Sequence, residues 1–354
     1  MKNIIITLDY ELCLGQKTGG IYDTLILTTN KLLDLFSKYK VKVTFMVDMA
    51  YLLRMKELSL NNTKLQEEYL IILNHLKEIN NQGHDLELHL HPQWLYSTHD
   101  GSEWHLDFKH YKLSDLNSNE VKRLFSEAID LLSTIKKDKV IAFRAGGFSL
   151  QTLENYGQIL RANEIKVDTS VVPGEKENSI YHVYDFSHIP KKDLYPFQDN
   201  VSIEVSNIDL YELPISTISY NPFKYLLIKK KLKTTGNYTL YTRGVGIGNN
   251  LSKMQVLKHL LPQLLRKKST GASLDGIMSA FLLKHFNKYC VENPNFENYV
   301  ILGHPKGVSD DSLKNTEYFL KATVGNYKFL TIRELISSKI HNKNNENLSL
   351  NSCS

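Results

Sequence analysis

Compact apolar runs alternate along this chain with longer stretches whose apolar residues recur at helical spacing. Residues 3–8 are dominated by isoleucine with no polar alternation, the pattern of a strand buried on both faces of a parallel sheet. Further strands are predicted at 41–48, 83–91, 140–147, 165–170 and 299–305. Helical stripes fill the gaps: 26–39, carrying Leu32, Leu33, Leu35 and Phe36; 49–82, with a polar break near Asn61, Asn62 and Thr63; 118–135; 149–163; and later 253–265 and 274–289, with 316–323 and 332–338 closing the fold. Strands alternating with helices predict parallel βα units in a barrel or a doubly wound sheet. The rhythm loosens over 175–250, rich in Tyr, Ser, Asn, Asp and Pro, where strands are expected only at 201–205 and 210–218. This stretch reads as an insertion within one domain spanning 1–338. Residues 339–354, rich in Asn and Ser, are expected to form a flexible polar tail.

Alternation inside 83–91 is chemically specific. Leu86, Leu88 and Leu90 share one face of the strand, and Glu87, His89 and His91 the other. Imidazoles at i and i+2 are a usable pair of ligands for zinc, iron, cobalt or nickel, and the leucine face calls for a core behind them. Asp9 and Glu11 likewise share parity where the first strand ends, while Asp48, Arg144, Asp168 and His304 stand at the ends of other strands. In a (β/α) barrel those carboxyl ends converge on the face that holds the active site. One polar residue at a strand end means little; this many titratable ends point to an enzyme.

The parts narrow the chemistry. Two histidines and a carboxylate make the facial set of an open, catalytic metal site. A second carboxylate can take a proton from water, a histidine opposite can give one to a leaving group, and Arg144 can pair with a carboxylate and keep it ionised. Together they fit metal-assisted hydrolysis of an amide or ester. Asp48 and Glu87 read as structural or supporting groups, and His84 as a cap or surface residue. Trp94, Trp104 and Tyr111, the last two in an aromatic connection at 97–115, are candidates for stacking on a sugar face, with core packing as the even alternative. The run Gly244–Gly248 lacks the preceding strand and the spacing of a dinucleotide fingerprint and reads as a loop.

Composition removes other classes. Among 354 residues the net charge is only +5, which is no electrostatic footprint for nucleic acid. Cys13, Cys290 and Cys353 form neither a disulfide framework nor a zinc knuckle, so a reducing compartment is expected. The N-terminal apolar run is too short for a signal peptide, and no segment reaches the roughly 20 apolar residues of a membrane span. A cytoplasmic location is expected.

Thr7-Leu8-Asp9-Tyr10-Glu11, Gly83-His84-Asp85 through His91-Pro92, Phe143-Arg144-Ala145-Gly146-Gly147, Val167-Asp168 and Leu302-Gly303-His304 follow in the order and approximate spacing of the polysaccharide deacetylase (NodB-homology, carbohydrate esterase family 4) motifs. The chain resembles that family over nearly its whole length, and most closely the WbmS-type deacetylase-like proteins of O-antigen and surface-polysaccharide gene clusters. The resemblance implies an irregular (β/α) barrel of about seven strands. It implies Asp9 as general base, Arg144 as the arginine holding that base, His89 as the first metal-binding histidine and His304 as general acid. Asp168 lies near a motif that supports the acid histidine. Tyr10 stands where the family has a metal-binding aspartate, and Gln93 where it has a second histidine; Glu11 and His91 are taken as their substitutes. The expected function is then a hydrolase using a divalent metal, zinc foremost and cobalt, nickel or iron as alternatives, to remove an N-acetyl or related acyl group from a sugar. The substrate would be a sugar nucleotide, a lipid-linked sugar or a glycan. A deformylase or other amidohydrolase on the same barrel, and an inactive carbohydrate-binding homologue, are the alternatives.

Overall fold

The computed structural model describes residues 2–15, 17–234 and 268–339. Among them the main sheet has nine strands: β1 (Asn3–Tyr10), β2 (Thr44–Asp48), β3 (Asp85–Leu90), β4 (Ala142–Ala145), β5 (Val167–Asp168), β6 (Tyr195–Pro196), β7 (Tyr211–Glu212), β8 (Asn298–Gly303) and β9 (Lys328–Phe329). Their spatial order is β6-β7-β5-β4-β3-β2-β1-β8, with β9 also on β1, and every pairing but β6–β7 is parallel. The isoleucine-rich β1 lies between β2 and β8, with Ile4, Ile5, Ile6 and Leu8 almost wholly buried, as its two-faced apolar pattern requires. The sheet curls. Leu213 N–H and Ile215 N–H follow β5 by donating to Asp168 O (2.8 Å) and Val171 O (2.9 Å), and Ser216 N–H then reaches Val300 O on β8 (3.0 Å). Segment 213–216 thus bridges the two sides of the sheet, giving the expected irregular (β/α) barrel.

Helices α1 (Leu27–Lys38), α2 (Met49–Ser59), α3 (Thr63–Asn81), α4 (Ser118–Ser133), α5 (Tyr156–Ala162), α6 (Pro222–Thr234), α7 (Leu282–Glu292) and α8 (Asp310–Thr323) fall between or after the strands. The break between α2 and α3 comes where the polar residues predict it, because the Asn62 side chain caps α3 by accepting from Leu65 N–H (3.2 Å). Three expectations need correction. The helix expected over 149–163 is confined to α5, since Phe148 and Asn155 take left-handed φ values of 58° and 54°. No strand forms over 201–205, because Asn200 folds the chain into a turn by accepting from Ser202 N–H on its side chain (2.9 Å) and Ile203 N–H on its carbonyl (3.0 Å). Segment 210–218 splits into β7 and a short strand, Thr217–Tyr220, paired antiparallel with Lys268–Gly271 in a separate two-stranded sheet. A first hairpin pairs Thr98–His99 with Trp104–His105, and a second pairs Lys176–Asn178 with Val183–Asp185. The helix expected at 253–265, the loop at 244–248 and residues 340–354 of the tail lie outside the described residues. Among the described residues no helix is long and apolar enough to cross a membrane.

Candidate active site

Thr7 and Asp9 share a face of β1, and the side chain reaching them is Arg144, from β4, with no exposed surface. A buried guanidinium is tolerated only when its charge and donors are met. Here one terminal nitrogen donates to Asp9 Oδ1, the other to Thr7 Oγ1 (2.8 Å), and Nε donates to Thr169 O (3.0 Å). The ion pair fixes one Asp9 oxygen and leaves Oδ2 facing His304 Nε2 at 3.5 Å and His89 Nε2 at 3.9 Å.

His89 is the register neighbour of Arg144, and its Nδ1–H donates to the Arg144 carbonyl (2.8 Å). That bond fixes the ring and turns Nε2 inward. Glu11 Oε2 lies 3.3 Å from His89 Nε2 and 2.7 Å from His91 Nε2. All three ligand atoms fall within 4.8 Å of one another, and all three residues are buried. Neither Glu11 Oε2 nor His89 Nε2 makes a well-aligned hydrogen bond within the protein. Two imidazole nitrogens and a carboxylate oxygen, buried and convergent, suit a divalent cation such as zinc. Gly146 allows the approach: a Cβ there would stand 2.6 Å from both His91 Nδ1 and Leu90 O. Asp48 supports the cluster by accepting from His91 N–H (3.2 Å).

The electrostatics agree. Burial opposes the protonated form of His89, but Asp9, Glu11 and Asp48 outweigh it and raise the ring to about 9. Burial pushes the Glu11 carboxyl up, yet Lys306, His91 and His89 hold it well below the usual range. Burial raises Asp48. A cluster this rich in carboxylates retains positive charge, as a proton or as a metal cation.

On the opposite side, His304 follows β8 at the rim of the cluster. Its Nδ1–H donates to Asp275 Oδ2 (2.6 Å) and its backbone N–H to Asp275 Oδ1 (2.7 Å). Burial disfavours the imidazolium, but the Asp275 carboxylate, with Asp9 and Glu11 beyond it, raises His304 above its ordinary value. Lys306, two residues on, is buried and donates to Glu11 Oε1 (2.8 Å) and Leu12 O (2.9 Å).

The structure therefore brings together Asp9, Glu11, His89, His91, Arg144 and His304. Asp168 is elsewhere. It lies in register with Phe143, so it shares that residue's face rather than that of Arg144. It pairs instead with Glu212 on β7 and accepts from Ser170 Oγ (2.5 Å); the group on His304 is Asp275. Trp94 and Trp104 are corrected too. Both are buried with Tyr51 in a core aromatic cluster, Trp94 at 4.7 Å and Trp104 at 5.6 Å between ring centroids. Tyr111 does border the site, its ring 6.4 Å from that of His91 and packed on Tyr181 and His182 of the second hairpin. His84 is a buried side chain whose Nδ1 accepts from Val43 N–H (3.2 Å), not a surface group. Glu87 is structural, meeting Lys136 (2.8 Å) and Arg333 (2.7 Å). Sequence reasoning missed Asp275 because a helix was expected from 274 onward. Lys306 carried no signal beyond its nearness to His304.

Fold and site together define an irregular (β/α) barrel with a buried cluster of carboxylates and histidines at the carboxyl ends of its strands. No family model and no curated protein matches the sequence. Among solved structures, the chain is similar to a Mycobacterium smegmatis protein designated a polysaccharide deacetylase, at 10% identity over 97% of this chain and 92% of that one, with a TM-score of 0.50. It also aligns with the PuuE allantoinase, at 9% identity over 92% and 85% and a TM-score of 0.49, and with the peptidoglycan deacetylase PdaC of Bacillus subtilis, at 12% identity over 99% and 96% and a TM-score of 0.38. At such identities the likeness to the first establishes a shared fold.

Proposed function

We propose that this chain is a metal-dependent amide hydrolase that removes an acetyl or related acyl group from an amino sugar. The observation that carries the reading is the convergence of Glu11, His89 and His91 between Asp9, held by Arg144, and His304, held by Asp275. Glu11, His89 and His91 would hold a divalent cation, which supplies Lewis acidity by polarising the acyl carbonyl and acidifying water. Asp9 Oδ2 takes a proton from the attacking water, while the ion pair with Arg144 holds the carboxylate in place. His304 Nε2, across the cluster, delivers a proton to the departing amine, and Asp275 keeps that imidazole charged and oriented. Tyr111 forms one wall of the sugar site. The substrate class is a sugar nucleotide, a lipid-linked sugar or a short glycan, as in surface-polysaccharide assembly by the WbmS-type proteins.

The test is metal content of the purified protein by mass spectrometry, wild type beside His89→Ala and His91→Ala, followed by acyl release from N-acetyl and N-formyl amino sugars. Near-stoichiometric metal lost in both variants, with acetate released by the wild type, supports the reading, and formate release alone would make the enzyme a deformylase. A wild type that takes up no zinc, cobalt or nickel, and that binds glycan without cleaving it, would sink the mechanism.

A further inference from the structure

Glu11 has one methylene more than an aspartate, so its carboxylate needs fixing before it can serve as a ligand in one geometry. Its two oxygens are treated differently. Oε2 faces His89 Nε2 (3.3 Å) and His91 Nε2 (2.7 Å), whereas Oε1 is 2.8 Å from Lys306 Nζ. The ammonium does not trail at the surface. Its side chain is 5% exposed, Nζ also donates to Leu12 O (2.9 Å), and its backbone lies in the 3-10 turn Pro305–Gly307, closed by Gly307 N–H to His304 O (2.8 Å). A buried ammonium costs several kcal/mol unless paired, so its grip on Oε1 persists when a cation binds at Oε2.

From this geometry we infer that Lys306 is a positioning residue: it confines Glu11 to ligation through Oε2 alone and so leaves a coordination position for substrate. The inference rests on the metal reading above. A carboxylate can offer a metal one oxygen or two, and here the second is occupied by a fixed cation of the protein's own. Lys306 also sets the strength of binding. Ammonium and metal share one carboxylate and repel each other, so the site holds its metal less tightly than His89, His91 and Glu11 would alone.

The experiment uses the full chain loaded with cobalt(II), comparing wild type, Lys306→Met and Lys306→Arg by visible absorption and by competition with a chromophoric chelator. Lys306→Met is expected to bind cobalt about tenfold or more tightly, because the repulsion between ammonium and metal is gone, and with weaker visible bands, because Glu11 then chelates through both oxygens and the coordination number rises. Lys306→Arg, which keeps a cation on Oε1, is expected to retain the wild-type spectrum. X-ray absorption on the cobalt-loaded wild type, which needs no variant to fold, is expected to show a carboxylate bound through one oxygen. Normal cobalt uptake with two-oxygen ligation in the wild type, or a Lys306→Met spectrum and affinity equal to wild type, overturns the inference and leaves the metal reading standing. Cobalt taken up by Lys306→Met but refused by the wild type overturns both, and makes Lys306 the native cation of the site.

Discussion

Asp275 holds His304 at two points, accepting from the imidazole Nδ1–H at 2.6 Å and from the backbone N–H of the same residue at 2.7 Å. One carboxylate thus fixes both the ring and the loop that carries it. If His304 is the general acid, it works only while protonated, and Asp275 is the main charge keeping it so. Asp275→Asn is expected to lower kcat by about 10²-fold or more and to move the alkaline limb of the pH–rate profile to lower pH. An unchanged alkaline limb would remove His304 from the acid's role.

Arg144 and Asp9 have separable parts. Asp9→Asn keeps an oxygen for the guanidinium but removes the base. It is expected to retain bound metal but, by leaving the buried Arg144 charge unpaired, to cost about 3–5 kcal/mol of stability, while acyl release falls by about 10²- to 10⁴-fold. Arg144→Met leaves Asp9 buried without its partner and is expected to cost about 3–5 kcal/mol in urea unfolding.

The aromatic side chains should divide between packing and binding. Trp94 has no exposed surface and stacks within Tyr51 and Trp104, so Trp94→Ala is expected to cost about 3–5 kcal/mol of stability. Tyr111, at the edge of His91, is expected to act on substrate: Tyr111→Ala should raise KM by roughly 2- to 10-fold, the worth of one aromatic stack.

The pair Asp168–Glu212, which feels the charge of Arg144, predicts a pH dependence of stability. Burial raises Asp168 to about 6, and burial together with Asp168 raises Glu212 well above its ordinary value. Both carboxyls therefore bind protons more tightly folded than unfolded. Their stabilisation is full below the unfolded values near 4 and is lost as pH rises from there through the folded values, about 6 for Asp168 and higher for Glu212. The melting temperature of wild type minus that of Glu212→Gln should fall between pH 5 and 8. A flat difference would show that the pair does not share a proton.

Much of the fold was legible because burial writes itself into composition. The isoleucines of β1, the leucines alternating with Glu87, His89 and His91 on β3, and the polar break at Asn62 each follow from what a core or a cap demands of neighbouring residues. The clustering of Asp9, Glu11, His89 and His91 was legible for the same reason, since parity placed Asp9 with Glu11 and His89 with His91, and strand ends of a barrel converge. Parity failed for Asp168, because which face of β5 turns inward is set by its register with β4, a pairing the local pattern does not encode. Turn chemistry hid the rest: left-handed residues at Phe148 and Asn155 cut short a helix whose apolar spacing was sound.

What the sequence determined by itself is the strand–helix order, the core faces and a set of titratable strand ends. What only the tertiary structure decided is which charges meet. Asp275 reaches His304, Lys306 reaches Glu11 across 295 residues of chain, and Glu212 rather than any site residue takes Asp168. The physical reason is that an ion pair inside a protein depends on distance and desolvation, and closure of the barrel fixes both.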